Sequence, residues 1–322
     1  MKRLYEQLCG YDSAQWGRAL EAIAPTIHEI DRNASRIWFA FWPLDLFLVL
    51  ESAKDQAAVA RKLGLMGRWR LADQVDESHR FLFAHRYWPQ VKTVLGTDRE
   101  WPGDLRAVIV AVADASARTS RVDPEKLLGM CAVGLMTLRQ SGVDAFAAAP
   151  GRVHLPMTSR RRSAHQVLAR RRKDDWQGPL GFLRGIRKRW TVTFDEGDPE
   201  ATFPLIHGQE IATAAQGDKR EYRSRDPRCT PGEGPIPVEC RAASCGTCWV
   251  GVLAGTEKLS PVVERDEGRR MKVFGYTDTD EPKPLVRLAC QARAFGAVTV
   301  VIPPWNGIFG GALEKHPNKN HK

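Results

Sequence analysis

The sequence predicts an α+β protein: an all-helical N-terminal domain over residues 1–150, followed by a strand-containing C-terminal domain over residues 190–306. Three features predict it. Apolar residues recur at helical intervals between Ser13 and Ala149, residues 151–189 turn strongly basic, and beyond Trp190 apolar and polar residues alternate around a short-spaced set of cysteines. At 322 residues the chain has room for two domains of ordinary size, and 43% hydrophobic residues place it among globular proteins.

In the N-terminal half, Trp16, Leu20, Ile23, Ile27 and Ile30 fall three or four residues apart, the spacing of one buried helix face. A further helix is expected after Asp104, with Leu105, Val108, Ile109 and Val112 on its apolar side. Another begins at Asp123-Pro124-Glu125, where a capping oxygen precedes a proline whose missing N–H costs nothing in the first turn. It carries Leu127, Met130, Cys131, Leu135 and Leu138, with Gly142 as its stop.

The run IWFAFWPLDLFLVL at Ile37–Leu50 has 14 residues and is interrupted by Pro43 and Asp45, whereas a bilayer span needs about 20 apolar residues. It reads as a buried segment or a partner-facing apolar surface, with a peripheral membrane contact as the minor alternative. Met1–Gly10 holds Glu6 and Cys9 and no apolar run, so no secretory leader is read there and a cytoplasmic location is expected.

Residues 151–189 form a basic linker. From Gly151 to Trp190 there are 12 Lys or Arg against 2 Asp, a balance of +10, which equals the formal net charge of the whole chain. Such runs most often form a solvated or partner-docking face, here for an acidic or phosphate-bearing surface, and less often bind anionic lipid or nucleic acid. Nucleic acid is disfavoured, because no helix-turn-helix or zinc-finger pattern accompanies the charge. Residues 307–322 read as a mobile tail.

The chemistry is concentrated in Pro237–Gly251, PVECRAASCGTCWVG, where Cys240, Cys245 and Cys248 are spaced Cys-x4-Cys-x2-Cys; after 41 intervening residues comes Cys290. Four soft thiolates at this spacing suit a [2Fe–2S] cluster, two per iron. The short residues between them leave a loop able to turn backbone N–H groups toward sulfur: Arg241, Ala242, Ala243, Ser244, Gly246 and Thr247 are the candidate cluster-binding residues, and bulk at Ala243 or Gly246 should be harmful. A four-cysteine zinc site is the alternative, but zinc usually takes two short Cys hairpins and only one is present.

This constellation resembles the plant- and bacterial-type [2Fe–2S] ferredoxins. The likeness extends over Trp190–Trp305, about 115 of the 322 residues: strand-like Trp190–Phe194, a second strand from Phe203, helical Glu210–Ala215, strand-like Trp249–Leu253, the LSP at Leu259–Pro261 with a charged helical stretch after it, and Val298–Ile302. The resemblance implies a β-grasp fold, Cys240 and Cys245 on one iron and Cys248 and Cys290 on the other. Two departures stand out, a 21-residue insertion at 216–236 that brings Cys229 near the motif, and a long gap before Cys290. Cys229 is read as a spare thiol, since Cys240 already completes the spacing.

His28, His79 and His85 read as core or surface residues, six residues being the wrong interval for His79 and His85 to share a helix face. No nucleotide-binding glycine motif, HExxH pair or second cluster motif is present. The expectation is therefore a non-enzymatic electron carrier, a subunit transferring single electrons to or from a larger oxidoreductase of the hydrogenase, oxygenase or respiratory dehydrogenase class. The competing reading is a redox sensor whose basic segment binds nucleic acid.

Overall fold

The computed structural model describes residues 1–176, 188–275 and 283–314. The chain divides into two compact units, one of Met1–Asp45 and Arg70–Arg161, the other of Leu46–Trp69 and Arg162–Lys322. The sequence places a domain boundary at 150 and a linker over 151–189. In the structure Leu46–Trp69 belongs instead with the C-terminal unit, and the basic segment is split between the units at Arg161/Arg162. The remainder of that segment, 177–187, lies outside the described residues, as does 315–322 of the expected tail.

In the first unit the helix Leu128–Ala148 is the centre. Every residue from Leu128 to Gln140 is buried, and the helices Lys2–Cys9, Glu29–Phe41, Trp88–Leu95 and Leu105–Ser120 pack around it. A helix apolar all round is the kind that others must cover. Close approach is secured at Gly129, where a Cβ would lie 2.2 Å from Ser35 Oγ, and at Gly134, where it would lie 3.0 Å from Trp88. The helix breaks at Gly142, with φ +78° and ψ 165°, and resumes to Ala148.

Asp104 caps Leu105–Ser120 by accepting from Ala107 N at 2.9 Å. The stripe Trp16 to Ile30 spans two helices, Ser13–Ile23 and Glu29–Phe41, separated by a 3-10 turn at Ala24–Thr26 that carries Pro25. Trp16, Ile23, Ile27 and Ile30 are buried.

The apolar run at Ile37–Leu50 is core rather than an exposed docking surface. Ile37, Trp38, Phe41, Trp42, Leu44, Leu46 and Leu50 are all buried, and the first three lie on the helix that packs against Leu128–Ala148. No helix among the described residues is long and apolar enough to cross a membrane.

His79 and His85 meet after all, through a turn rather than a shared helix face. Their Nδ1 atoms are 2.9 Å apart, both side chains are buried, and the Trp88 ring lies 4.3 Å from that of His79. One Nδ1 must donate and the other accept, so the accepting ring is neutral. Burial is the main cause holding both pKa values down, His85 at about 3; for His79 the neighbouring His85 adds to it.

Unfolded imidazoles titrate near 6.5, so the unfolded state takes up protons below that pH while the folded pair does not. Stability is therefore complete above pH 6.5 and falls below it, for His85 down to about pH 3. Urea unfolding below pH 6 is expected to lose up to about 1.4 kcal/mol per pH unit for each histidine, and His79→Phe/His85→Leu should flatten the profile.

The second unit is built on a five-stranded sheet. In chain order the strands are β1 (Met66–Gly67), β2 (Arg189–Thr193), β3 (Thr202–Ile206), β4 (Gln209–Glu210), β5 (Trp249–Ala254), β6 (Val286–Leu288), β7 (Arg293–Ala294), β8 (Val298–Val301) and β9 (Trp305–Asn306). The sheet order is β3-β2-β8-β5-β6, with β2 and β8 parallel and the other neighbours antiparallel. Helix Ile211–Ala215 packs against β3.

Alternation sets the faces of β3: Phe203 and Leu205 are buried while Pro204 and Ile206 are exposed. Interior β5 is buried at every residue from Trp249 to Leu253, as a strand covered on both faces must be. These are the elements, in the order, that the resemblance implies, within an α+β chain.

The Leu46–Trp69 stretch joins this unit through backbone pairing. Met66 pairs with Asn306 and Gly67 with Trp305, while Arg68 N donates to Pro304 O and Ile308 N to Leu63 O, each at 2.8 Å. Gly67 sits at φ +81°, and a Cβ there would lie 2.5 Å from Pro304 O. Residues 307–314 are thereby structured rather than tail: Phe309 is buried and Gly310–Glu314 is helical.

Candidate metal centre

The three clustered cysteines lie in the loop that enters β5, and Cys290 follows β6. Because Trp249 pairs with Leu288, and Ala289 N donates to Cys248 O at 3.0 Å, the sheet itself brings Cys248 and Cys290 to one end. Cys248 and Cys290 shift each other's ionisation, and Cys245 shifts that of Cys240, so the four thiols lie as two neighbouring pairs. Among the described residues no three His, Cys, Asp or Glu side chains converge as a single ion would require. Cys248 and Cys290 are buried, whereas Cys240 and Cys245 are half-buried and form the solvent-facing edge.

Backbone donors surround the sulfurs. Ser244 N and Cys245 N donate to Cys240 Sγ at 3.3 and 3.2 Å, Ala242 N also reaches Cys240, and Ala243 N reaches Cys290. The Thr247 hydroxyl lies 3.2 Å from Cys245 Sγ and 3.1 Å from Glu239 Oε2, so its single proton serves one at a time.

Arg241 and Ala243 adopt φ of +55° and +54°, a left-handed conformation that costs roughly 1–2 kcal/mol in a non-glycine residue. Alternating left- and right-handed residues turn successive N–H groups to one side, which makes an anion-binding concavity. Arg241 also pairs with Glu233 at 3.0 Å, tying the loop to the insertion.

Burial opposes ionisation of Cys240, yet the donated hydrogen bonds from Ser244, Ala242 and Cys245 prevail and bring its pKa down to about 6. At Cys290 the Cys248 thiol is the largest cause, and with Gln291 and Ala243 it lowers the pKa to about 7 against burial. Cys248 is pushed up, by its donation to Cys290 and then by burial. Soft thiols in two facing pairs, within a cradle of N–H groups that favours negative charge, fit a two-iron cluster of two thiolates per metal.

Cys229 is elsewhere in character. It is buried, its thiol faces Pro235 O at 3.4 Å, and burial lifts its pKa to about 11.

Gly246 has φ +69°, and a Cβ there would lie 2.2 Å from the Phe274 ring. Phe274 in turn stands edge-on to Trp249 at 5.5 Å. Gly246→Val should therefore displace Phe274 and strain the loop, with a loss of about 2–4 kcal/mol from overpacking and backbone strain together; denaturant unfolding of the metal-free protein measures it.

Phe274 was hidden in the sequence, as was a buried ion pair. Glu267 holds Arg287 through two bonds of 2.8 Å and accepts from Leu288 N at 2.7 Å, two residues before Cys290. Only the charged character of the stretch before Arg287 hinted at the pair.

Residues 231–295, which include all four cysteines of the motif, match the family of 2Fe-2S iron-sulfur cluster binding domains. No curated protein and no solved structure matches the chain. The C-terminal unit thus carries a ferredoxin-type [2Fe–2S] domain, an electron-transfer module, with the helical unit outside the matched region.

Proposed function

We propose that Cys240 and Cys245 bind one iron and Cys248 and Cys290 the other, and that the chain relays single electrons to or from a larger oxidoreductase as an associated subunit. The cluster when bound accepts and returns one electron. The protein's own part is to hold four thiolates, to direct N–H groups at the sulfurs so that added negative charge is stabilised, and to leave one edge near solvent. The observation that carries the reading is the pairing of the four thiols inside the N–H cradle.

The half-buried Cys240/Cys245 pair supports exchange at that edge, since electron transfer weakens steeply with distance. Metal and sulfide analysis of the purified protein, with visible absorption before and after reduction, tests it. Two irons, two sulfides and reversible bleaching are expected. A colourless protein holding one zinc would overturn the reading.

A further inference from the structure

The basic segment is more than a tether. Its helix Ala164–Lys173 starts at a capping box, in which Ser163 Oγ accepts from Gln166 N and Gln166 Oε1 accepts from Ser163 N. It ends with Arg170, Arg171, Arg172 and Lys173 and contains no acidic residue.

Arg171 points inward and grips Glu196, on the turn between β2 and β3, through two bonds of 2.6 and 2.7 Å. Just past the helix, Asp175 Oδ1 accepts from Ala297 N at 2.9 Å while Oδ2 pairs with Lys258. These two clamps fix the helix to the same unit that carries the cysteines.

What the clamps hold outward has the make-up of an interface. Arg170, Arg172 and Lys173 are exposed. Trp176, one residue beyond the Asp175 clamp, is 68% exposed, and Phe295, whose N–H donates to Lys258 O, is 44% exposed. Ile206 is 48% exposed and adjoins His207, whose ring lies 5.3 Å from that of Phe295. Trp and Arg are the residues most enriched at binding hot spots, and an aromatic centre with a charged rim is the usual anatomy of a protein interface.

We infer that the clamped helix Ala164–Lys173, with Trp176 and Phe295, is a preformed docking face for an acidic protein surface on the redox partner. This rests on the electron-relay reading and gives the partner its chemistry. A lipid surface fits less well, because the helix has no broad apolar face to insert. Nucleic acid fits less well too, since three outward charges neutralise few phosphates.

The face also lies away from the Cys248 end of the sheet. Ala254 pairs with Thr299 near the Asp175 clamp, and six residues of strand separate Ala254 from Cys248, about 20 Å at strand rise. Docking there leaves the Cys240/Cys245 edge free.

The test uses the full-length holoprotein with two acceptors, cytochrome b5 as an acidic one-electron protein and a neutral quinone as a small one. Binding of cytochrome b5, measured by calorimetry, is expected to weaken with salt. It should also weaken about tenfold at low salt in Arg170→Glu/Arg172→Glu/Lys173→Glu, the scale of electrostatic steering, while quinone reduction by the reduced protein stays unchanged. Arg171→Gln should weaken that binding as well, because it loosens the clamp without touching the outward charges.

The proposal is overturned if cytochrome b5 binding ignores either salt or the triple variant. It is equally overturned if the triple variant leaves that binding intact but abolishes binding to phosphatidylglycerol vesicles or to a DNA duplex. If the wild-type protein reduces neither acceptor, it is the electron-relay reading that fails.

Discussion

Serine in place of Cys248 or Cys290 is expected to abolish the visible absorption of the purified protein, while Cys229→Ser leaves it unchanged. The argument is one of ligand chemistry and place. A coordinating thiol gives up its proton and binds iron as a soft anion, whereas a serine hydroxyl is a hard and far weaker acid. Cys248 and Cys290 are buried and face each other at the end of the sheet, so no neighbouring water or side chain replaces the lost sulfur easily.

Cys240→Ser and Cys245→Ser lie at the half-buried edge and should lose the absorption as well, with some residual iron where solvent can fill the vacant position. Cys229 is the internal control. Its thiol is buried and donates to Pro235 O, and its pKa is near 11, so it is not poised as a thiolate. Iron content that survived in Cys248→Ser but vanished in Cys229→Ser would reverse the ligand assignment.

Removing one partner of the Glu267–Arg287 pair is expected to cost about 3–5 kcal/mol, among the largest effects available to a single substitution outside the cysteines. The side chains are only 1% and 3% exposed, so Glu267→Ala strands a buried guanidinium and also removes the acceptor for Leu288 N. Arg287 keeps its bond to Ser260 O at 3.0 Å, which cannot neutralise the charge.

Replacing both residues together, as in Glu267→Leu/Arg287→Met, removes the desolvated charges and should recover much of the loss. Urea unfolding of the metal-free protein measures the stability. The rate of bleaching in air measures how far the damage reaches Cys290, two residues beyond Leu288. A Glu267→Ala protein as stable as the wild type would show that the pair contributes little.

The elements that announced themselves in the sequence were those with strict local signals. The Cys-x4-Cys-x2-Cys spacing, the alternation at Trp190–Phe194 and the Asp104 cap each depend on residues a few positions apart; the cap is where the pattern put it, and the strand lies at Arg189–Thr193 with Thr193 buried against the alternation. Short strands such as β1 and β9 have two residues each and no periodicity to read; only pairing across the chain creates them.

The same limit hid the His79–His85 contact, which a turn makes and a helix would not. It also hid the docking of the basic helix, whose charges were conspicuous while the role of Arg171 depended on a glutamate 25 residues away. Ile37–Leu50 was legible as apolar, but composition does not distinguish a core from an interface.

The pairing of β1 with β9 imposes an order on synthesis. Met66 and Gly67 leave the ribosome more than two hundred residues ahead of Trp305 and Asn306, a delay of roughly ten to fifty seconds at ordinary elongation rates. Meanwhile Arg70–Arg161, the bulk of the helical unit, is synthesised and free to fold.

Phe274, which abuts Gly246, accepts from Phe309 N at 3.3 Å, so the wall behind the cluster loop gains its last support only after Phe309 has been made. Until then the four cysteines belong to a site whose backing is incomplete.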